Sequence, residues 1–171
     1  MNKYYFEGKT QEQAINLALY ELNISEDDLI VNNVEDKSSL LKKNVKIEVL
    51  NIKEIISFIK DTLNKITELM GAKSNLEVKR REKSISVTIF SENNAILIGK
   101  NGKNVAALQL LIRQMINSKL KEPLSIIIDV GNYKEKRARS IEYLAKKLAR
   151  EAYKTKTEVT MDSMNSYERR I

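Results

Sequence analysis

Two residue types that often carry chemistry are missing from this 171-residue chain, which has no cysteine and no histidine. Their absence excludes disulfides, thiol nucleophiles, imidazole general bases and zinc sites built from cysteine and histidine. An enzyme would have to rely on carboxylates, lysine or a metal, and Asp129, Asp162 and Glu168 show no convergent spacing. The composition therefore argues against catalysis, and we expect no cofactor and no metal site.

Chain breakers and long apolar runs are also scarce. One proline and five glycines interrupt a sequence that is 42% hydrophobic, which is ordinary for a globular protein and does not favour disorder. No apolar run approaches the roughly 20 residues of a membrane helix, and residues 1–7 lack the apolar core of a signal peptide. We expect a soluble, cytoplasmic protein without a transmembrane segment.

Charge is unevenly distributed along the chain. Residues 1–51 hold 6 lysines and 9 acidic residues, a balance of −3. Residues 52–171 hold 24 basic and 14 acidic residues, a balance of +10. The acidic N-terminal part (residues 1–51) and the basic remainder (residues 52–171) indicate separate domains. Any surface that binds a polyanion is expected in the basic remainder.

The acidic N-terminal part has the pattern of a small β-α-β-β unit. Strands are predicted at residues 3–7, 29–31 and 45–49, and a polar loop at residues 36–43. Thr10 and Gln13 form a capping box that opens a helix with Ile15, Ala18, Leu19 and Leu22 on one face. Because it has so few apolar residues, this unit is predicted to be only marginally stable alone and to pack against a partner.

Residues 52–130 have the pattern α-β-β-α-α-β. After a linker at residues 51–53, an amphipathic helix ends at Gly71, and residues 76–89 alternate as a hairpin that turns at residues 81–83. Two helices follow, at residues 92–98 and 103–119, the second with Val105, Leu108, Leu111, Ile112, Met115 and Ile116 inward. Pro123 precedes the last strand, and Gly131-Asn132 is a turn.

The loop Gly99-Lys100-Asn101-Gly102 joins those two helices. Glycine admits a sharp turn and lets a phosphodiester approach the backbone, and a helix N-terminus adds unpaired N–H groups and partial positive charge. A plain turn with both lysines in solvent is the alternative. A phosphate-binding P-loop is excluded, because Asn104 takes its Ser/Thr position and no glycine lies five residues before Gly102.

This element order, with Ile96-Leu97-Ile98 before the loop and Lys103 after it, resembles the prokaryotic-type (type II) KH domain. The resemblance implies that the loop clamps about four nucleotides of single-stranded RNA. It also implies that bases lie in a groove lined by Ile96, Ile98, Val105 and Ala106. The RNA-binding residues it assigns here are Ile98, Gly99, Lys100, Asn101, Gly102 and Lys103.

A basic helix is predicted from Tyr133 to Lys156, followed by the start of a strand at Val159–Met161 and a further helix from Ser163. The basic face serves either to solubilise the protein or to bind a polyanion. The final residues resemble the lead-in to an Arg-x-x-x-His nucleic-acid-binding domain. In that resemblance Arg169 is the motif arginine, Arg170 lies beside it, and the histidine is expected two positions beyond Ile171.

The three parts in this order resemble the bacterial Jag family, also called KhpB. Its N-terminal match rests on Phe6-Glu7-Gly8-Lys9-Thr10 and on the Ala14-Ile15 and Ala18-Leu19 pairs before Leu22. We therefore predict an α+β protein with a Jag-type N-terminal domain (1–50), a type II KH domain (51–131) and the start of an α/β Arg-x-x-x-His-type domain (132–171).

The family resemblance implies a non-catalytic regulator that binds single-stranded RNA, with a link to cell-envelope growth. It also implies a small single-KH protein partner or self-association, and a link to the membrane-protein insertase. A protein–protein adapter associated with that insertase, with incidental RNA binding, is the alternative. RNA crosslinking compared with protein pull-down separates the two.

Overall fold

Two three-stranded sheets, each covered by its own helices, organise the computed structural model, which describes residues 1–36, 44–82 and 84–171. The elements in chain order are β1 (Tyr4–Gly8), α1 (Gln11–Leu22), β2 (Leu29–Asp36), β3 (Val45–Asn51), α2 (Ile52–Leu69), β4 (Ser74–Arg81), β5 (Ser84–Ser91), α3 (Asn94–Ile98), α4 (Lys103–Asn117), β6 (Ser125–Val130) and α5 (Tyr133–Thr155). The fold is α+β, as predicted.

The N-terminal sheet has the order β1-β3-β2, and both of its pairings are antiparallel. Thr10 accepts a hydrogen bond from the Gln13 N–H at 3.2 Å, as predicted for a capping box. The Gln13 side chain accepts the reciprocal bond from the Lys9 N–H, one residue before the N-cap residue Thr10. The helix packs Ala14 and Ala18 on a small core. The strand predicted at residues 29–31 continues to Asp36, and residues 37–43 of the predicted loop lie outside the described residues.

The linker predicted at residues 51–53 is wrong. β3 ends at Asn51 and α2 begins at Ile52, with the Asn51 side chain accepting a hydrogen bond from the Lys53 N–H at 2.9 Å. Ile52, Ile55, Ile59 and Leu63 form the buried stripe of the helix. The helix stops before Gly71, as predicted, and Gly71 adopts a left-handed φ of 74°.

The second sheet has the order β4-β5-β6, with β4 and β5 antiparallel and β5 and β6 parallel. Residues 84–89 pair in register with residues 125–130, so that Ile85, Val87 and Ile89 lie beside Ile126, Ile128 and Val130. All six side chains are buried in the main core. The α-β-β-α-α-β prediction is confirmed, although Lys83 of the predicted turn lies outside the described residues.

Helix α4 buries a narrower stripe than predicted. Val105, Leu108, Ile112 and Ile116 are buried, whereas Leu111 is 47% exposed. The prediction for Leu111 is wrong because it lies at the edge of the helix arc that meets the sheet.

The predictions for the last residues are also wrong in detail. The chain forms neither the strand at Val159–Met161 nor the helix from Ser163, and its only regular element there is a 3₁₀ turn at Glu168–Arg170. The Asn165 side chain accepts hydrogen bonds from the N–H groups of Tyr167 and Glu168 and so holds a turn in place of a longer helix.

Candidate nucleic-acid interface

The loop between α3 and α4 is built from left-handed backbone. Gly99, Asn101 and Gly102 have φ values of 68°, 53° and 75°. Glycine adopts such conformations without steric cost, and asparagine is among the few other residues that do so routinely. The residue types at these positions therefore fix a sharp reversal between the two helices.

Gly99 is required by a close approach as well as by its backbone angle. A Cβ atom there would lie 2.5 Å from the Cγ of Asn104. The Asn104 amide in turn donates a hydrogen bond to the Ile96 carbonyl at 2.8 Å, which ties α4 back to α3 across the loop. Asn104 thus shapes the loop, a role that its position in the sequence did not reveal.

Gly102 is packed beneath an aromatic ring. A Cβ atom there would lie 2.6 Å from Cε1 of Tyr133, the first residue of α5. The ring covers the end of the loop and buries Gly102. Burial raises the pKa of the Tyr133 hydroxyl.

The two loop lysines are exposed. Lys100 and Lys103 form no ion pair within residues 1–36, 44–82 and 84–171, so both charges are available to a ligand. Helix α4 starts at Lys103 with no side chain capping it. The Lys103 N–H donates to the Lys100 carbonyl, and the positive end of the helix dipole faces the loop. This combination suits a phosphate group.

A cleft of about 540 Å³ runs beside the loop, between α4, the edge strand β6 and α5. Its lining consists of Asn101, Gly102, Val105, Ala106, Gln109, Ile127, Tyr133, Lys134, Arg137, Asn165, Tyr167 and Glu168. Val105 and Ala106 were predicted to line such a groove. Ile96 and Ile98 are not among its lining residues; Ile96 is 43% exposed and Ile98 packs on the core.

Polar groups cross this cleft at two levels. The side-chain oxygen of Gln109, Oε1, accepts hydrogen bonds from the Ile128 N–H at 3.1 Å and from Lys134 Nζ at 2.8 Å. Burial lowers the pKa of Lys134. Further out, Arg137 Nε lies 2.7 Å from Oε1 of the buried Glu168, and this hydrogen bond raises the pKa of Arg137.

Arg169 and Arg170 lie on the 3₁₀ turn and do not line the cleft. The Arg169 guanidinium donates to the Met164 carbonyl at 3.1 Å and to Ser166 Oγ at 3.4 Å. The predicted site residues therefore divide into the loop group, residues 98–103, and this separate pair. Gln109, Tyr133, Lys134 and Arg137 were missed because their places depend on how α5 packs.

Two further properties bear on function. No helix among the described residues is long and apolar enough to cross a membrane. The same residues contain no group of three or more Asp, Glu, His or Cys side chains that could hold a metal ion.

Comparison with known proteins gives matches along nearly the whole chain. Residues 6–50 match the family model described as the Jag N-terminus, and residues 57–128 match that of the KhpA/KhpB KH domain. The chain is 31% identical to the RNA-binding protein KhpB of Clostridium symbiosum, over 96% of this chain and 77% of that protein. It is 28% identical to the RNA-binding protein KhpB of Bacillus subtilis, over 96% of this chain and 81% of that protein.

Proposed function

The chain belongs to the KhpB family of RNA-binding proteins, and we propose that it grips single-stranded RNA with the loop Gly99–Gly102. The observation that carries this proposal is the loop geometry. Two glycines without Cβ atoms, two exposed lysines and an uncapped helix N-terminus meet at one point of the surface. A phosphodiester is the ligand that this arrangement suits.

The neighbouring cleft supplies what the loop lacks. Val105, Ala106 and Ile127 offer an apolar wall for a base, while Gln109 and Lys134 offer polar atoms at its edge. Phosphate contacts at the loop would fix the position of the strand, and contacts with base edges would set any sequence preference. We assign the base to this cleft rather than to the surface around Ile96.

Two acidic substitutions in the loop test the proposal. Lys100→Asp with Asn101→Asp sets two negative charges against the phosphate, keeps both glycines, and leaves a residue that tolerates left-handed backbone at position 101. We expect affinity for single-stranded RNA of about ten nucleotides to fall by about tenfold or more, measured by fluorescence anisotropy.

Lys60→Asp with Asn64→Asp is the matched control, since both residues are exposed on α2 and make the same change in charge. This control should change affinity by less than about twofold. Thermal unfolding followed by circular dichroism checks that both variants are folded. Unchanged affinity in a folded loop variant would remove the loop as the binding site.

The cellular role is a further part of this proposal. We infer a regulator that acts in the cytoplasm and is linked to cell-envelope growth, as the family resemblance implies. The N-terminal unit favours an adapter role beside it, since its surface exposes Tyr5, Leu17, Tyr20 and Val34. Protein pull-down with Tyr20→Ser, compared with RNA crosslinking, tests whether that surface binds a small single-KH partner or the insertase.

A further inference from the structure

Helix α5 has one face that is cationic along nearly its whole length. At 3.6 residues per turn, Lys136, Tyr143, Lys147, Arg150 and Lys154 fall within an arc of about 60°. That arc is roughly opposite Ile141, the one buried residue of the helix. All five side chains are exposed, and Tyr143 is 72% exposed.

These cations differ from the rest of the helix surface in having no acidic partner. Arg139 pairs with Glu135 at 2.5 Å and Lys146 pairs with Glu142 at 2.6 Å, as in an ordinary solubilising face. Lys136, Lys147, Arg150 and Lys154 form no ion pair with any residue that the structure describes. Four uncompensated charges on one line favour a polyanionic ligand.

An exposed tyrosine lies in the middle of this line. Tyr143, Lys147, Arg150 and Lys154 line a groove of about 490 Å³, whose single acidic residue is Glu151. An aromatic ring flanked by cations is the arrangement on which single-stranded nucleic acids stack their bases, whatever their sequence. A membrane surface is a poorer fit, because the face offers no large apolar side chain to insert.

The cationic face is continuous with the loop. Tyr133, the first residue of α5, packs on Gly102, and Lys136 lies one helical turn further on. From Lys136 to Lys154 the helix extends about 27 Å. A strand leaving the loop can therefore follow the helix axis over several nucleotides.

We propose that the Lys136–Lys154 face of α5 is a second RNA-binding site, which stacks bases on Tyr143 and tracks the backbone of a single strand leaving the loop. This inference rests on the proposed function of the loop. It assigns RNA-length dependence to the helix, whereas the loop accounts for binding of a short strand.

The test compares labelled oligouridylates of about four and about twelve nucleotides. For Lys147→Gln with Arg150→Gln we expect the longer RNA to bind about tenfold more weakly and the shorter one to change by less than about twofold. Tyr143→Ala should weaken the longer RNA by about fivefold or more, while Tyr143→Phe, which keeps the ring, should bind like the parent.

Lys60→Gln with Lys65→Gln on α2 is the control for an equal loss of positive charge, and it should leave both RNAs unaffected. Phosphatidylglycerol vesicles form the second arm, and the α5 variants should not alter binding to them. Circular dichroism checks that each variant is folded.

The outcomes separate this inference from the proposed function. An α5 variant that leaves the longer RNA unaffected, or weakens both RNAs equally, overturns the second site whatever the loop variant does. Loss of vesicle binding without loss of RNA binding also overturns it. If the loop variant binds both RNAs normally while the α5 variant does not bind the longer one, the loop proposal fails and the helix site stands.

Discussion

The Tyr133 ring packs so closely on Gly102 that a Cβ atom at position 102 would clash with it. The ring belongs to the helix after the KH sheet, whereas the glycine belongs to the loop within the KH domain. At the scale of single residues, this contact couples the shape of the loop to the position of α5.

Gly102→Ala is expected to destabilise the protein by about 3 kcal/mol, because it adds a left-handed alanine and pushes the Tyr133 ring away. Gly71→Ala is the matched control, since Gly71 has nearly the same φ but nothing within 4 Å of its Cβ position. We expect it to cost about 1–2 kcal/mol in urea denaturation. In a Tyr133→Ala background the two substitutions should cost the same; a difference that persists there would contradict the ring contact.

Asp28 makes the stability of the junction between the two sheets depend on pH. A hydrogen bond from Lys53 Nζ at 2.7 Å, with others from Arg80 and Ser25, lowers the pKa of Asp28 from 3.8 to about 2. Because the folded pKa lies below the unfolded value, the carboxylate stabilises the fold above the unfolded pKa and loses this effect as pH falls from about 5 towards 2.

Asp28→Asn should therefore cost about 1–2 kcal/mol at pH 7, a range that allows for solvent screening of the exposed Lys53 ammonium. The difference from the parent should shrink as pH falls and vanish only below the folded-state pKa of about 2. Urea denaturation at several pH values measures it. A difference that stays constant from pH 7 to pH 2 would mean that the ion pairs do not stabilise the junction.

At the scale of elements, one side chain holds three of them together. The side-chain Oε1 of Gln109 on α4 accepts one hydrogen bond from the Ile128 N–H on β6 and one from Lys134 Nζ on α5. The position of α5 along the cleft therefore depends on an amide that β6 and α5 share.

Gln109→Leu should destabilise the protein by about 1–3 kcal/mol, because it leaves the Ile128 N–H without its partner. Gln109→Glu keeps an acceptor oxygen and adds a charge opposite Lys134, so stability at pH 7 should fall by less than about 1 kcal/mol. Hydrogen exchange should show faster exchange at the start of α5 in the leucine variant only. Equal exchange in both variants would show that Gln109 does not hold α5.

The sequence was sufficient to predict most elements, because their signals are local. Alternation at Ile85, Val87 and Ile89 predicts a strand, and the two glycines of the loop predict a break between helices. Asn51 was wrongly assigned to a linker, because asparagine is typical both of loops and of the residue that caps a helix N-terminus. Val159–Met161 has the residue types of a strand but pairs with none of the strands that the structure describes. The contact of Tyr133 with Gly102 depends on tertiary packing that no local pattern contains.

At the scale of the whole molecule, the N-terminal unit is attached to the KH domain by more than its chain connection. Leu50 is buried in the main core, and Arg80 Nη1 lies 2.5 Å from Asp28 Oδ1. A register shift in β2 at Asn32 turns its side chain to the α4–β6 connection, where it accepts from the Lys121 N–H at 2.7 Å. The two units therefore stabilise one another.

RNA binding should nevertheless depend on local charge rather than on the net charge of +7. If about 3–5 phosphates are neutralised, the logarithm of the binding constant should fall against the logarithm of salt concentration with a slope of about −2 to −4. Glu12→Gln with Glu21→Gln on α1 raises the net charge but should leave that slope unchanged. A slope near zero, or one that follows net charge, would mean that the basic surface does not bind phosphates.

The direct passage from β3 into α2 also decides where this protein can be cut and rejoined. A gene fusion that replaces residues 1–50 would remove Leu29, which pairs with Asn51 between β2 and β3. It would also remove Leu50, which is buried in the main core. A working chimera would have to carry Leu50, Asp28 and Asn32 together with the surface they meet. The unit therefore behaves in recombination as a part of the KH domain, although its sequence has the signature of a separate module.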